Sequence, residues 1–217
     1  MKRFLLLIFV SVFIVLWSNQ SHAIILLSED FESDLSAWVG KSGGTHHGMI
    51  VNDPLDLSNS VLTFSALNSA GDIFTAATFS SAIDQFRLSF DYLGVPNQGG
   101  IAGDLGGFIG FSYGLPGEHT WIAGTMDSYP DPITLLPDTG EWVHIEIPFS
   151  AVGDIRLTLE DFRSSGGVAG DVYFDNILLE NPHDNPAPVP EPATILLLGS
   201  GLIGLASVGR RKFRKNA

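Results

Sequence analysis

The sequence predicts an all-β domain, an antiparallel β-sandwich, set between two terminal segments that stay outside the fold. Three observations predict it. Short apolar runs recur along the chain, separated by Gly, Pro, Asn and Asp turn signals at intervals of roughly eight to twelve residues. Several runs alternate apolar and polar residues, the pattern of a half-buried strand. Between the terminal segments no stretch repeats its apolar residues at helical spacing, and no solenoid or propeller repeat is present.

The elements follow in order. Residues 24–27 are a short apolar strand leading into Glu29-Asp30-Phe31-Glu32. Trp38 follows a polar stretch, and Lys41-Ser42-Gly43-Gly44 is a turn before a strand over 45–51. Asn52-Asp53-Pro54 is turn chemistry. Strands over 60–66 and 73–79 are separated by Asn68, Gly71 and Asp72. In 85–92, Phe86, Leu88, Phe90 and Tyr92 share one face while Arg87, Ser89 and Asp91 share the other. Residues 94–107 form a glycine-rich loop. Strands over 107–113 and 119–126 make a hairpin across Gly114-Leu115-Pro116-Gly117, and 127–140 is a loop rich in Pro and Asp. Alternation returns in 142–149, with Val143, Ile145, Ile147 and Phe149 inward, and in 154–162, with Ile155, Leu157 and Leu159 inward. The last run, 171–180, is apolar on both faces, as a central strand requires.

The termini read as addresses. Lys2-Arg3, an apolar run over 4–17 and Ser21-His22-Ala23 have the layout of a secretory signal peptide cleaved after Ala23. At the other end stand Val189-Pro190-Glu191-Pro192, an uncharged apolar run over 193–209, and Arg210-Arg211-Lys212-Phe213-Arg214-Lys215. Proline makes the first part stiff and extended. As a transmembrane helix the run would be roughly 25 Å long, the short limit for a bilayer core of about 30 Å. The basic cluster would stay on the cytoplasmic side. The expected organisation is a signal peptide over 1–23, a sandwich over 24–180, a linker over 181–188 and a sorting tail over 189–217.

Removing both termini changes the charge. The stretch from Glu29 to Glu191 holds all 24 acidic residues but four basic ones, a balance of −20 against −13 for the whole chain. Such a surface repels nucleic acid and anionic lipid. The absence of cysteine excludes disulfides and thiolate metal sites.

Pro-Glu-Pro, a short apolar segment and a terminal Arg/Lys cluster resemble the PEP-CTERM sorting signal. The resemblance implies export through the secretion machinery, passage through the inner membrane and recognition by exosortase. Val189, Pro190, Glu191, Pro192, Arg210, Arg211 and Lys212 would be the recognition residues, and the destination the cell surface or a polysaccharide matrix. The domain itself opens with Asp30-Phe31-Glu32, Leu35 and Trp38 and closes with Tyr173-Phe174-Asp175-Asn176-Ile177. This arrangement resembles the galactose-binding-like jelly roll of many carbohydrate-binding modules. That resemblance implies a structural calcium ion where the first and last strands meet, held by Glu32 and Asp175 with Asp30 as a further ligand. Calcium there would stabilise the domain and perform no chemistry.

Catalytic signatures are weak. Glu160 and Asp161 are adjacent on a strand, so they point to opposite faces and cannot act as a glycosidase pair. His46 and His47 are adjacent in the same way. No nucleophile elbow, P-loop or dinucleotide fingerprint is present. A sugar site needs exposed aromatic rings beside hydrogen-bonding side chains. Trp121, Tyr129 and Tyr113, with Asp127 close by, are the candidates, while Trp38 and Trp142 are assigned to the core. The expected function is an exported, non-catalytic surface or matrix protein that binds polysaccharide. The alternatives are a structural or adhesive biofilm protein without a small ligand, and an enzyme acting on polysaccharide.

Overall fold

The computed structural model describes residues 23–68, 71–95, 106–115, 118–125, 134–162 and 168–182. The chain divides into one unit over Ile24–Pro182 and another made of Met1–Ala23 and His183–Ala217. The expected signal peptide, membrane segment over 193–209 and basic tail belong to the second unit, and apart from Ala23 lie outside the described residues.

The first unit is an all-β sandwich of two six-stranded sheets. One sheet runs in the order β10 (Val143–Ser150), β6 (Gln85–Gly94), β12 (Val172–Asn181), β4 (Ser60–Phe64) and β3 (Gly48–Asn52), with β1 (Ile24–Glu29) also on β12. The other runs β2 (Trp38–Val39), β5 (Ile73–Thr75), β11 (Arg156–Asp161), β7 (Gly107–Ser112), β8 (His119–Gly124) and β9 (Thr134–Leu135). Among the described strands every pairing is antiparallel except β8 with β9, and an isolated bridge from Asn68 to Phe162 is also parallel. The two-residue strands β2 and β9 are too short to carry a period, so the sequence does not reveal them. Strand β5 is shorter than expected, and beyond it Phe79 makes only an isolated bridge to Ile155.

Strand β12 is central, as its two apolar faces predict. One edge pairs with β6 from Val172 to Glu180. The other edge is shared: Phe174 faces Leu62 of β4, and Ile177–Asn181 face β1. The register shifts between Asp175 and Leu178, where Asn176 takes φ 50°. Asparagine tolerates this left-handed conformation better than most residues, and a bulge is where a strand can change neighbours.

The period-2 runs do what they promise. Phe86, Leu88, Phe90 and Tyr92 are fully buried, and Arg87, Ser89 and Asp91 face outward. Phe174 packs against Phe64, Phe90 and Tyr92 with ring centroids 6.2, 6.1 and 5.3 Å away. Phe149 stacks on Phe86 at 5.2 Å within its own sheet and on Phe111 of the other at 5.3 Å, so it ties the layers together. Gly110 is fixed by backbone approach: a Cβ there would lie 2.2 Å from the Thr120 carbonyl oxygen.

Phe174→Ala is expected to cost about 3–5 kcal/mol, the usual penalty for emptying a well-packed aromatic site. Gly110→Ala is expected to cost about 2–3 kcal/mol, because backbone and not a flexible side chain must yield. Urea unfolding of the exported chain reads both.

Candidate functional site

A polar pocket forms beside the second sheet. The turn after β2 is closed by hydrogen bonds from the Gly43 and Gly40 amides to the Gly40 and Gly44 carbonyls, both 2.9 Å, with Gly43 at φ 74°. It presents Lys41, Ser42 and Gly44 to a cavity of about 280 Å³ that is completed by Thr45, His47, Asn68 and Asp72. The far wall is pinned to β11. The Asn68 amide donates to the Asp161 carbonyl at 2.8 Å and the Asp72 amide to the Leu159 carbonyl at 2.8 Å. Asp72 Oδ2 accepts the Asp161 amide at 3.1 Å, while Asp72 Oδ1 is buried with no partner. Polar side chains from the turn after β2 and from the segment pinned to β11 therefore line one concavity.

Acids behind this wall are buried. Glu160 and Asp161 do point to opposite faces of β11, yet both are fully covered. Glu160 Oε2 accepts the Gly71 amide at 2.5 Å and Asp161 Oδ2 the Gly170 amide at 3.3 Å. Burial raises both carboxyls to about 8. It also raises Asp72 and Asp171. All four move in the same direction, with burial the largest cause for each.

The sequence-predicted aromatic site is only partly assembled. Trp121 is 2% exposed and packs on Phe108 at 5.5 Å, in a small cluster with Phe162. It offers no open face to a sugar ring, a correction to the expectation drawn from its neighbouring loops. The physical reason is that the second face of β7, β8 and β11 is itself covered. Tyr113 is exposed in the turn after β7, edge-on to Phe111 at 5.5 Å. Tyr129 and Asp127 lie outside the described residues. Trp38 is core, as expected, with its indole donating to Glu29 at 3.2 Å. Trp142 is half-buried and donates to Asp53 at 2.8 Å.

Glu32 and Asp175 come close together at the β12 bulge. Glu32 Oε1 accepts the Ser60 amide at 3.0 Å, and Asp175 Oδ2 accepts the amide group of Asn59 at 3.0 Å. Burial, then the charges of Asp91 and Glu32, raises Asp175 against the pull of those hydrogen bonds. Asp30 is exposed and accepts the Glu32 amide at 3.2 Å. Among the described residues no three His, Asp or Glu side chains are arranged to hold a metal. A cation at Glu32 and Asp175 would therefore need backbone carbonyls and water to fill its shell.

Groups with raised folded pKa favour folding most below their unfolded values and lose that advantage as pH rises through the folded ones. The stability contributed by Glu160 and Asp161 is therefore present near pH 4 and declines towards pH 8. In chelator, the melting temperature should fall between pH 5 and 8.5, and the fall should be smaller in E160Q/D161N. An equal fall in the variant would contradict this assignment.

No curated protein matches the chain. Solved structures similar to it include the CBM22-1 xylan-binding domain of Paenibacillus barcinonensis Xyn10C, at 15% identity and TM-score 0.45 over 75% of this chain and 97% of that one. A xylan-binding domain of CBM 22 is similar at 11% identity and TM-score 0.49 over 75% and 97%. The CBM6cm-2 module of Cellvibrio mixtus lichenase 5A, solved with cellotriose, is similar at 12% identity and TM-score 0.38 over 74% and 100%. Residues 188–212 match the PEP-CTERM protein-sorting motif, and the seven expected recognition residues from Val189 to Lys212 all fall within the match. The chain thus carries the mark of a protein exported and sorted by exosortase to the cell surface or extracellular matrix.

Proposed function

We propose that the chain is a non-catalytic polysaccharide-binding protein of the cell surface or matrix. The observation that carries this reading is the cavity of about 280 Å³ lined by Lys41, Ser42, Thr45, His47, Asn68 and Asp72. It is close to the lower end of ligand-pocket sizes, about 300–1,000 Å³, a size for one sugar residue of a longer chain. Sugar hydroxyls both donate and accept, which suits a wall that carries the side chains of Lys41, Ser42, Thr45 and Asn68. The balance of −20 on the exported region favours a neutral glycan over a polyanion. Hydrolysis would need an acid and an ionised partner, whereas burial raises both Glu160 and Asp161 to about 8. Tyr113, exposed among the described residues of the expected set, supplies a secondary stacking surface.

The test is affinity electrophoresis of the exported chain through a panel of neutral and acidic polysaccharides. Binding to a neutral glycan is expected, with D72A and N68A each weakening it about tenfold, the loss of one buried hydrogen bond of about 1.4 kcal/mol. Unchanged binding in both variants would move the site elsewhere. Absence of binding across the panel would favour the adhesive reading, and release of reducing ends the enzymatic one.

Structural calcium at Glu32 and Asp175 is part of the proposal, supported by the charge of Glu32 acting on Asp175 and by the adjacent partners Ser60 and Asn59 that the two carboxylates hold. Chelator should lower the melting temperature, and E32Q/D175N should shrink that drop. An equal drop in both proteins would remove calcium from these residues.

A further inference from the structure

Buried polar atoms in folded proteins nearly always have partners, and the exceptions point to an ion, a water or a ligand. Among the described residues, four carboxylate oxygens are buried without a partner: Asp72 Oδ1, Glu160 Oε1, Asp161 Oδ1 and Asp171 Oδ1. Asp72 lines the sugar pocket and Glu160 lies behind it. Asp161 and Asp171 are a separate matter. Asp161 ends β11, opposite Gly107 of β7, and is fully buried. Asp171 immediately precedes β12 and is 5% exposed.

The two carboxylates flank one short turn. Asp161 Oδ2 accepts the Gly170 amide at 3.3 Å, and Asp171 Oδ2 accepts the Val168 amide at 3.0 Å. Each thus spends one oxygen on the backbone of that turn and leaves the other unmatched. A third carboxylate, Asp138, is oriented by the buried Tyr92 hydroxyl, which donates to its Oδ1 at 2.8 Å. The charges that raise Asp161 are those of Asp171, Asp72 and Glu160, and the charge that raises Asp171 is that of Asp138, all acidic. Burying such a group without a counter-charge is costly, and a cation removes the cost.

We propose that Asp161 and Asp171 form a second divalent-cation site, one for calcium, with the charge of Asp138 adding to the field of the site without ligating the ion. The ligands on offer are hard oxygens without imidazole or thiolate, which selects calcium over zinc or copper. No three acidic or histidine side chains among the described residues converge on one point. The ion therefore completes its six to eight ligands with backbone carbonyls and water. Its place in the fold gives it a role. The Val95 amide donates to the Asp171 carbonyl at 2.8 Å, the Phe162 amide to the Gly106 carbonyl at 2.7 Å and the Gly140 amide to the Gly94 carbonyl at 3.0 Å. The roots of the connections after β6, β9 and β11 meet here, and the ion clasps them together.

The test is calorimetric titration of Ca²⁺ alone into the full chain in detergent, stripped of metal at pH 8, in the E32Q/D175N background so that the bulge cannot contribute. Binding of one ion per chain and a rise of several degrees in melting temperature are expected. Adding D161N/D171N should abolish both, while the ion-free protein melts at or above its parent because two buried charges are gone. If that variant fails to fold, Asp171→Asn alone should weaken binding at least tenfold by Tb³⁺ displacement. The proposal is overturned if E32Q/D175N binds no Ca²⁺, or if the Asn variants bind it undiminished.

Discussion

Everything in the sandwich depends on strand β12. Its ten residues pair with β6 along one edge and with two different strands along the other. A strand so enclosed must be apolar on both faces, and its burial holds the first and last parts of the chain together. The bulge at Asn176 lets the edge pass from β4 to β1, and it sits directly after Asp175, on which the charge of Glu32 acts. Upstream, the same strand places Phe174 among Phe64, Phe90 and Tyr92, where each buried ring contributes about 1.5–3 kcal/mol.

That aromatic core offsets an electrostatic cost elsewhere. The end of β11 buries acids beside one another with little basic charge to answer them. Such a group must hold its proton or find a cation, so this end of the domain responds to pH and ions while the core does not. The arrangement suits an exported protein, which meets variable pH and abundant divalent cations. It also places the responsive groups at the roots of long connections, next to the wall of the polar pocket.

Much of the fold is legible in the sequence, and the reason is period. Residues 85–92 name their own inner and outer faces, and the two-faced run over 171–180 announces a central strand. Depth is harder to read. Alternation correctly sends Glu160 and Asp161 to opposite faces but cannot say that both faces are covered. Trp121 misleads for the same reason: its neighbours look like an open loop, yet Phe108 packs against it. The pocket escapes because Lys41, His47, Asn68 and Asp72 share no motif, and only the pinning of 68 and 72 to β11 brings them opposite the turn after β2. The terminal signal is read easily because its recognition is linear: a stiff triplet, an apolar run and a basic cluster in order.

Polysaccharide binding through the pocket between the β2 turn and β11 is the function proposed for this exported acidic domain. Backbone amide NMR of the exported chain, titrated with oligosaccharides cut from a neutral extracellular polysaccharide, tests it most directly. The account predicts saturable shifts centred on Lys41 to His47 and on Asn68 to Asp72. Shifts confined to other faces of the sandwich, or none at saturating oligosaccharide across neutral glycans, would contradict it.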